Sequence, residues 1–161
     1  MFRINKSRPC FKFERWAELY FMQNGCSNVE RNVVYTVKNK KNGRFVGRFQ
    51  IDVQYTKLGL SFSPLLKKIV PVEVKNRNVN KRDVEYFHKK MNYLDAKEGE
   101  LLTSREIDSD AYFLAKKYKI EVKGPEELSR TKITKGITLE EQIKNISEDY
   151  SAKETHRIVY V

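Results

Sequence analysis

Lys68-Ile69-Val70-Pro71-Val72-Glu73-Val74-Lys75-Asn76 is the stretch on which the reading of this chain turns. Val70, Val72 and Val74 recur at every second position, and side chains two apart along a strand point the same way. The valines therefore share one face of a β-strand, while Glu73 and Lys75 are neighbours on the other. Proline cannot donate to a sheet ladder, so Pro71 is expected at the start of this strand or at a bulge. Upstream, Phe45 to Tyr55 repeats the alternation. Phe45, Gly47, Phe49, Ile51, Val53 and Tyr55 have one parity, and Arg48, Gln50, Asp52 and Gln54 have the other. This predicts a half-buried strand with Asp52 on its polar side. If the two strands pair, Asp52, Glu73 and Lys75 converge as two hard oxygen ligands for a divalent cation with an ammonium beside them. Metal-assisted attack on a phosphodiester needs such a set.

Further out, the pattern is α, then β, then alternating. A first helix is expected from about Phe11 to Asn24, with Phe13, Trp16, Leu19 and Tyr20 as its buried stripe and Gly25 as its stop. Glu14 and Glu18 lie one turn apart on it, and from the residues alone both read as solvated. Val29 to Lys38 alternates as an edge or second strand. Asn42-Gly43, inside Lys40-Lys41-Asn42-Gly43-Arg44, signals a hairpin turn, because both residues tolerate positive φ. Lys40, Lys41 and Arg44 at this tip are candidates for contact with a phosphate backbone, or serve to keep the edge soluble. Leu58 to Leu66 reads as an extra strand or a covering loop.

Past the quoted stretch, a second helix begins near Lys81, with Val84, Phe87, Met91 and Leu94 at helical spacing. Lys81, Arg82, Lys89 and Lys90 fall on its solvated remainder. Arg77, Lys81 and Arg82, close to Glu73 and Lys75, are the candidates for meeting phosphate. A strand over Glu100 to Thr103, a helix from Asp108 or Ser109 to near Tyr118 and a strand over Lys119 to Lys123 follow. The tail carries a helix over Leu139 to Ile146 and a short β-like end, Arg157 to Val161, packed on the domain or used in a subunit contact.

Composition bounds the answer. The 161 residues suit one domain, and 40% hydrophobic with 33% charged residues describes a globular chain with a heavily charged surface. A net charge of +11 suggests a polyanionic partner, nucleic acid foremost, although a lysine-rich soluble surface gives the same number. No apolar run is long enough for a membrane span, and no hydrophobic stretch follows the basic start, so an intracellular, cytoplasmic protein is expected. Cys10 and Cys26 lack zinc spacing and read as buried or half-buried thiols, with a disulfide across the first helix as the alternative. His88 and His156 have no triad partners around them and default to the surface.

An Asp, a spacer of about 20 residues and Glu-X-Lys at the end of a hydrophobic strand resembles the PD-(D/E)XK nuclease superfamily. Phe13-Glu14-Arg15-Trp16-Ala17-Glu18-Leu19 before Gly25 is similar to the first helix of Mrr-type restriction endonucleases. Val72 to Arg77 leading into Asp83-Val84-Glu85-Tyr86-Phe87 looks like their active-site strand and following helix. Leu102-Thr103-Ser104, Ala111, Leu114 to Lys117, Ile120 to Val122 and Gly124 to Leu128 resemble the closing elements. Archaeal Holliday-junction resolvases share this core.

The resemblance implies a restriction-endonuclease-like α/β fold, a central mixed sheet flanked by helices in the order αβββαβαβ. It would occupy residues 11–129, between a basic arm (1–10) and a C-terminal helical extension (130–161). It implies a Mg²⁺-dependent DNA endonuclease, with Mn²⁺ as a substitute. Asp52, Glu73 and the Val74 carbonyl would hold the metal, and Lys75 would act beside it. Glu14 matches a glutamate that faces the catalytic site and helps hold metal-bound water, with Glu18 the alternate. A homodimer is the expected assembly for two-strand cleavage. A Holliday-junction resolvase of the same fold and a non-catalytic nucleic-acid-binding protein remain alternatives.

Overall fold

The computed structural model describes residues 8–58, 67–130, 137–146 and 154–161. The first seven residues of the expected basic arm, residues 59–66 of the apolar connection and residues 131–136 of the expected extension lie outside them, as do residues 147–153. In chain order the elements are α1 (Arg8–Gln23), β1 (Ser27–Lys38), β2 (Phe45–Leu58), β3 (Lys67–Lys75), α2 (Lys81–Tyr93) and β4 (Gly99–Thr103). Then come α3 (Ser109–Lys117), β5 (Ile120–Lys123), α4 (Pro125–Ser129), α5 (Leu139–Lys144) and β6 (Thr155–Tyr160). The first eight reproduce the αβββαβαβ order.

Six strands form one mixed sheet in the order β5-β4-β3-β2-β1-β6. β1, β2 and β3 are antiparallel neighbours, whereas β3, β4 and β5 run parallel and β6 lies parallel to β1. Parallel neighbours require crossovers, which α2 and α3 supply. The tail packs back on the domain. β6 extends the sheet, and α5 lies on α1, where Trp16 Nε1–H donates to Gln142 Oε1 at 3.0 Å.

Local chemistry explains where the elements stop and start. α1 ends as expected at Gly25, whose φ of 77° lets the Cys26 N–H reach the Phe21 carbonyl and the Gly25 N–H reach that of Met22. α2 opens on a capping box in which Asn80 and Asp83 each accept the other's backbone N–H. The β1–β2 turn departs from the two-residue form. Gly43 has a φ of 68°, but Asn42 is not in the positive-φ region. Instead Asn39 Oδ1 accepts from the Lys41 and Asn42 N–H groups and holds a wider loop.

The core lies on both sides of the sheet. Phe13, Trp16, Ala17 and Phe21 of α1 pack with Val53, Tyr55, Val70, Val72, Val74 and Leu102, joined by Leu128, Leu139 and Ile143. On the other side, Val84, Phe87 and Met91 of α2 and Ala111 and Ala115 of α3 pack with Val33, Tyr35, Val37, Phe49, Ile51 and Leu101. His88 stacks on Tyr118 at 3.8 Å rather than standing free at the surface.

Two strand expectations are corrected. Ile51 and Val53 were expected on one face, yet they enter opposite cores. Opposite this point β1 holds Asn32 at a φ of 56°, a left-handed residue that interrupts the alternation, and the ladder passes from Arg31↔Val53 to Val33↔Ile51. β2 is accordingly buried on both faces from Ile51 to Tyr55, and Asp52 and Gln54 are inside rather than on a wet side. Pro71 lies neither at the start of β3 nor at a bulge, because it pairs in unbroken register with Gln54. β4 begins to pair only at Val72, so this half of β3 has β2 as its one ladder neighbour and tolerates a residue without an N–H.

Candidate active site

β2 and β3 run together only as far as the Val53↔Val72 pair. Beyond it, the Asp52 side chain takes over from the departing strand: its Oδ2 accepts the Val74 N–H at 2.9 Å. Asp52 is 4% exposed, so its carboxylate is fixed against the backbone of the residue between Glu73 and Lys75. The twist that ends the ladder thus brings the three predicted residues together. Glu73 and Lys75 share a face by alternation, as expected, and Lys75 Nζ lies 2.7 Å from Glu73 Oε1.

A fourth group completes the cluster. Lys90 of α2 is buried, with Nζ 2.7 Å from Glu73 Oε2, so Glu73, itself 3% exposed, carries an ammonium on each oxygen. Sequence reading placed Lys90 on the solvated face of the helix. It falls three residues after Phe87 and beside Met91, on the margin of the apolar stripe, and only the rotation of α2 against the sheet decides its side. That rotation rests on a close approach. A Cβ on Gly99, the first residue of β4, would stand 2.8 Å from Met91 Sδ and 3.1 Å from the Phe87 ring. Glycine here lets α2 settle low enough for Lys90 to reach Glu73.

The charges reinforce one another. Burial pushes the Glu73 carboxyl upward, but Lys90 and Lys75 outweigh it through charge and hydrogen bonding and hold it below the ordinary range. Burial alone would depress the Lys75 ammonium, but Glu73 and then Asp52 raise it. Both groups therefore stay ionised at neutral pH.

Glu14 lies on the buried side of α1 at 1% exposure, contrary to a solvated pair. Glu18 is half-buried and ion-paired to Arg15 and, at 3.3 Å, to Arg31. Of the predicted phosphate contacts, Arg77 grips Asp83 in a two-pronged pair at 2.6 and 2.8 Å, bracing the start of α2. Lys81 faces Glu85 at 4.0 Å, and Arg82 is exposed. Lys40, Lys41 and Arg44 are exposed at the hairpin tip. They are not gathered at the site, because the length of β2 between Arg44 and Asp52 spans roughly 25 Å.

The donor set suits a hard cation. Mg²⁺ is held by one or two carboxylates and completes its shell with water and substrate phosphate. Asp52 and Glu73 supply the carboxylates, and the Val74 carbonyl is a third hard oxygen beside them. Among the described residues, no cluster of three or more His, Cys, Asp or Glu side chains forms a self-sufficient metal cage.

Comparison with curated proteins gives no match. Among solved structures the chain is similar to the crystal structure of a protein of unknown function, AF1548, with a TM-score of 0.54 and 15% identity, over 73% of this chain and 58% of that one. At that identity the likeness concerns the fold alone, and this chain spans less than two thirds of that structure. The Mrr catalytic-domain family, described as restriction endonuclease, matches residues 7–131, which include α1, the Asp52 and Glu73 strands, and α2 through α4. The chain belongs to this restriction endonuclease family of nucleases.

Proposed function

We propose that the protein is a divalent-metal-dependent DNA endonuclease whose site is Asp52, Glu73, the Val74 carbonyl and Lys75. The reading is carried by one observation: the Asp52 carboxylate, from a different strand, is hydrogen-bonded to the backbone between Glu73 and Lys75. When bound there, Mg²⁺ would polarise the scissile phosphodiester and ease deprotonation of an attacking water. Asp52 and Glu73 bind and orient the cation. Lys75, held charged by those carboxylates, orients the water through its N–H groups and offsets charge on the crowded phosphorus. Glu14, buried on α1, is assigned to ordering metal-bound water at the same site. Lys40, Lys41 and Arg44 are assigned to the phosphate backbone at a distance from the cut, and Lys81, Arg82 and Arg77 to phosphates near it. Cutting both strands calls for a homodimer.

The test is cleavage of a panel of labelled duplex, single-stranded, flap and four-way-junction DNA in Mg²⁺ or EDTA. Mg²⁺-dependent products are expected, with loss of activity in Asp52→Ala and Glu73→Ala variants that still fold and bind DNA. Wild-type cleavage by either variant overturns the site. Paired nicks on four-way junctions would select a resolvase of the same fold. A non-catalytic nucleic-acid binder is favoured by a specific observation, the two ammoniums already seated on Glu73. Salt-sensitive DNA affinity without Mn²⁺ binding would establish it.

A further inference from the structure

We propose that Lys90 is a positioning residue that keeps Glu73 in charge balance, so that a divalent cation loads tightly only together with a substrate phosphate. The inference rests on the site assignment above and concerns its regulation.

Two carboxylates, Asp52 and Glu73, are matched by two ammoniums, Lys75 and Lys90, and Asp83 nearby is matched by Arg77. With Glu14, buried on α1 and assigned to the same site, three carboxylates face two ammoniums, so the cluster is about one charge negative before any metal arrives. A divalent cation entering alone would displace an ammonium from Glu73 and leave an uncompensated positive charge in a buried, poorly screened place. A nucleic-acid phosphate brings the missing negative charge and supplies an oxygen ligand that Mg²⁺ favours. By linkage, whatever factor the phosphate adds to metal affinity, the metal adds to nucleic-acid affinity.

Lys90 suits this role better than a fixed structural cation. Its Nζ already lies 4.9 Å from the centre of the Tyr86 ring, whose side chain is 56% exposed. An ammonium released from Glu73 has that aromatic face, and then the phosphate, as its next partners. Removing its charge leaves Glu73 still paired with Lys75, so Lys90→Met strands no carboxylate and replaces a long chain with one of similar shape.

The experiment measures Mn²⁺ binding by calorimetry to the nucleic-acid-free wild type and to Lys90→Met, Lys90→Arg and Asp52→Ala. Lys90→Met should bind Mn²⁺ about tenfold tighter or more, Lys90→Arg should match the wild type, and Asp52→Ala should lose the site. Mere structural damage would weaken binding, so the direction separates the two roles. Lys90→Met that is folded and binds Mn²⁺ no tighter overturns the proposal.

A second measurement needs no variant: Ca²⁺ should strengthen binding of a short duplex, read by fluorescence anisotropy, far more than screening at equal ionic strength allows. Equal DNA affinity with and without Ca²⁺ also overturns it. If Asp52→Ala abolishes cleavage while Lys90→Met leaves metal affinity unmoved, only this inference fails. If Asp52→Ala keeps full cleavage, the site assignment fails.

Discussion

Glu73 on β3 and Glu100 on β4 are buried carboxylates one strand apart, 3% and 5% exposed, each bonded at 2.7 Å to a lysine. They face opposite sides of the sheet, since Glu100 pairs in register with Val72 and Glu73 with Leu101. Their second donors differ. Glu100 takes the Tyr55 phenol and one ammonium, that of Lys123, which lies over the Tyr20 and Phe21 rings and also stands 3.7 Å from the exposed Glu121. Glu73 takes a second ammonium and is balanced only because Asp52 stands beside Lys75. Burial and ion pairing are therefore common to both clusters. The proposed site differs in that its buried carboxylate takes two ammoniums.

The comparison breaks first on activity. Glu73→Ala or Asp52→Ala should lower cleavage by about a thousandfold or more, whereas Glu100→Gln, where folded, should leave the rate near that of the wild type. An inactive, well-folded Glu100→Gln would move the chemistry to the wrong face. Stability does not follow activity. Glu100→Ala takes from the largely buried Lys123 its nearest carboxylate, leaving Glu121 at 3.7 Å, and should cost about 3 kcal/mol in denaturant unfolding. Gly99→Ala stands between the two clusters: overpacking against Met91 and Phe87 should cost about 2 kcal/mol and weaken catalysis by lifting α2, and Lys90, from Glu73.

The smallest effect is on pH dependence. The Glu73 pKa is lowered from 4.5 to about 2, so its contribution is present above the ordinary carboxylate range and lost as pH falls toward 2. Glu73→Gln should flatten that part of the acid limb. The Tyr55 hydroxyl is raised, first by burial and then by Glu100, so its contribution is full below pH 10 and lost as alkali ionises it. Tyr55→Phe should flatten the alkaline limb instead. Acid and alkaline unfolding curves of the two variants check both signs.

Much of this was legible in the residues. The strand over Val72 to Lys75, the stop at Gly25, the α2 stripe and the element order all follow from periodicity and turn chemistry. What failed was the assumption that one alternation runs the length of β2. Asn32 breaks it from the neighbouring strand, and no residue of β2 itself announces the break. Lys90 was misplaced for a related reason, since a side chain on the margin of a helical stripe turns inward or outward according to how closely the helix is allowed to pack.

The order of residues by itself determined that Glu73 and Lys75 are neighbours, because alternation is built into the covalent geometry of a strand. That Asp52 meets them, and that Lys90 joins from α2, was decided only by the tertiary structure. Both depend on where one ladder ends and how near a helix comes to a sheet. Those are properties of packing between segments distant in the chain, which no local repeat can encode.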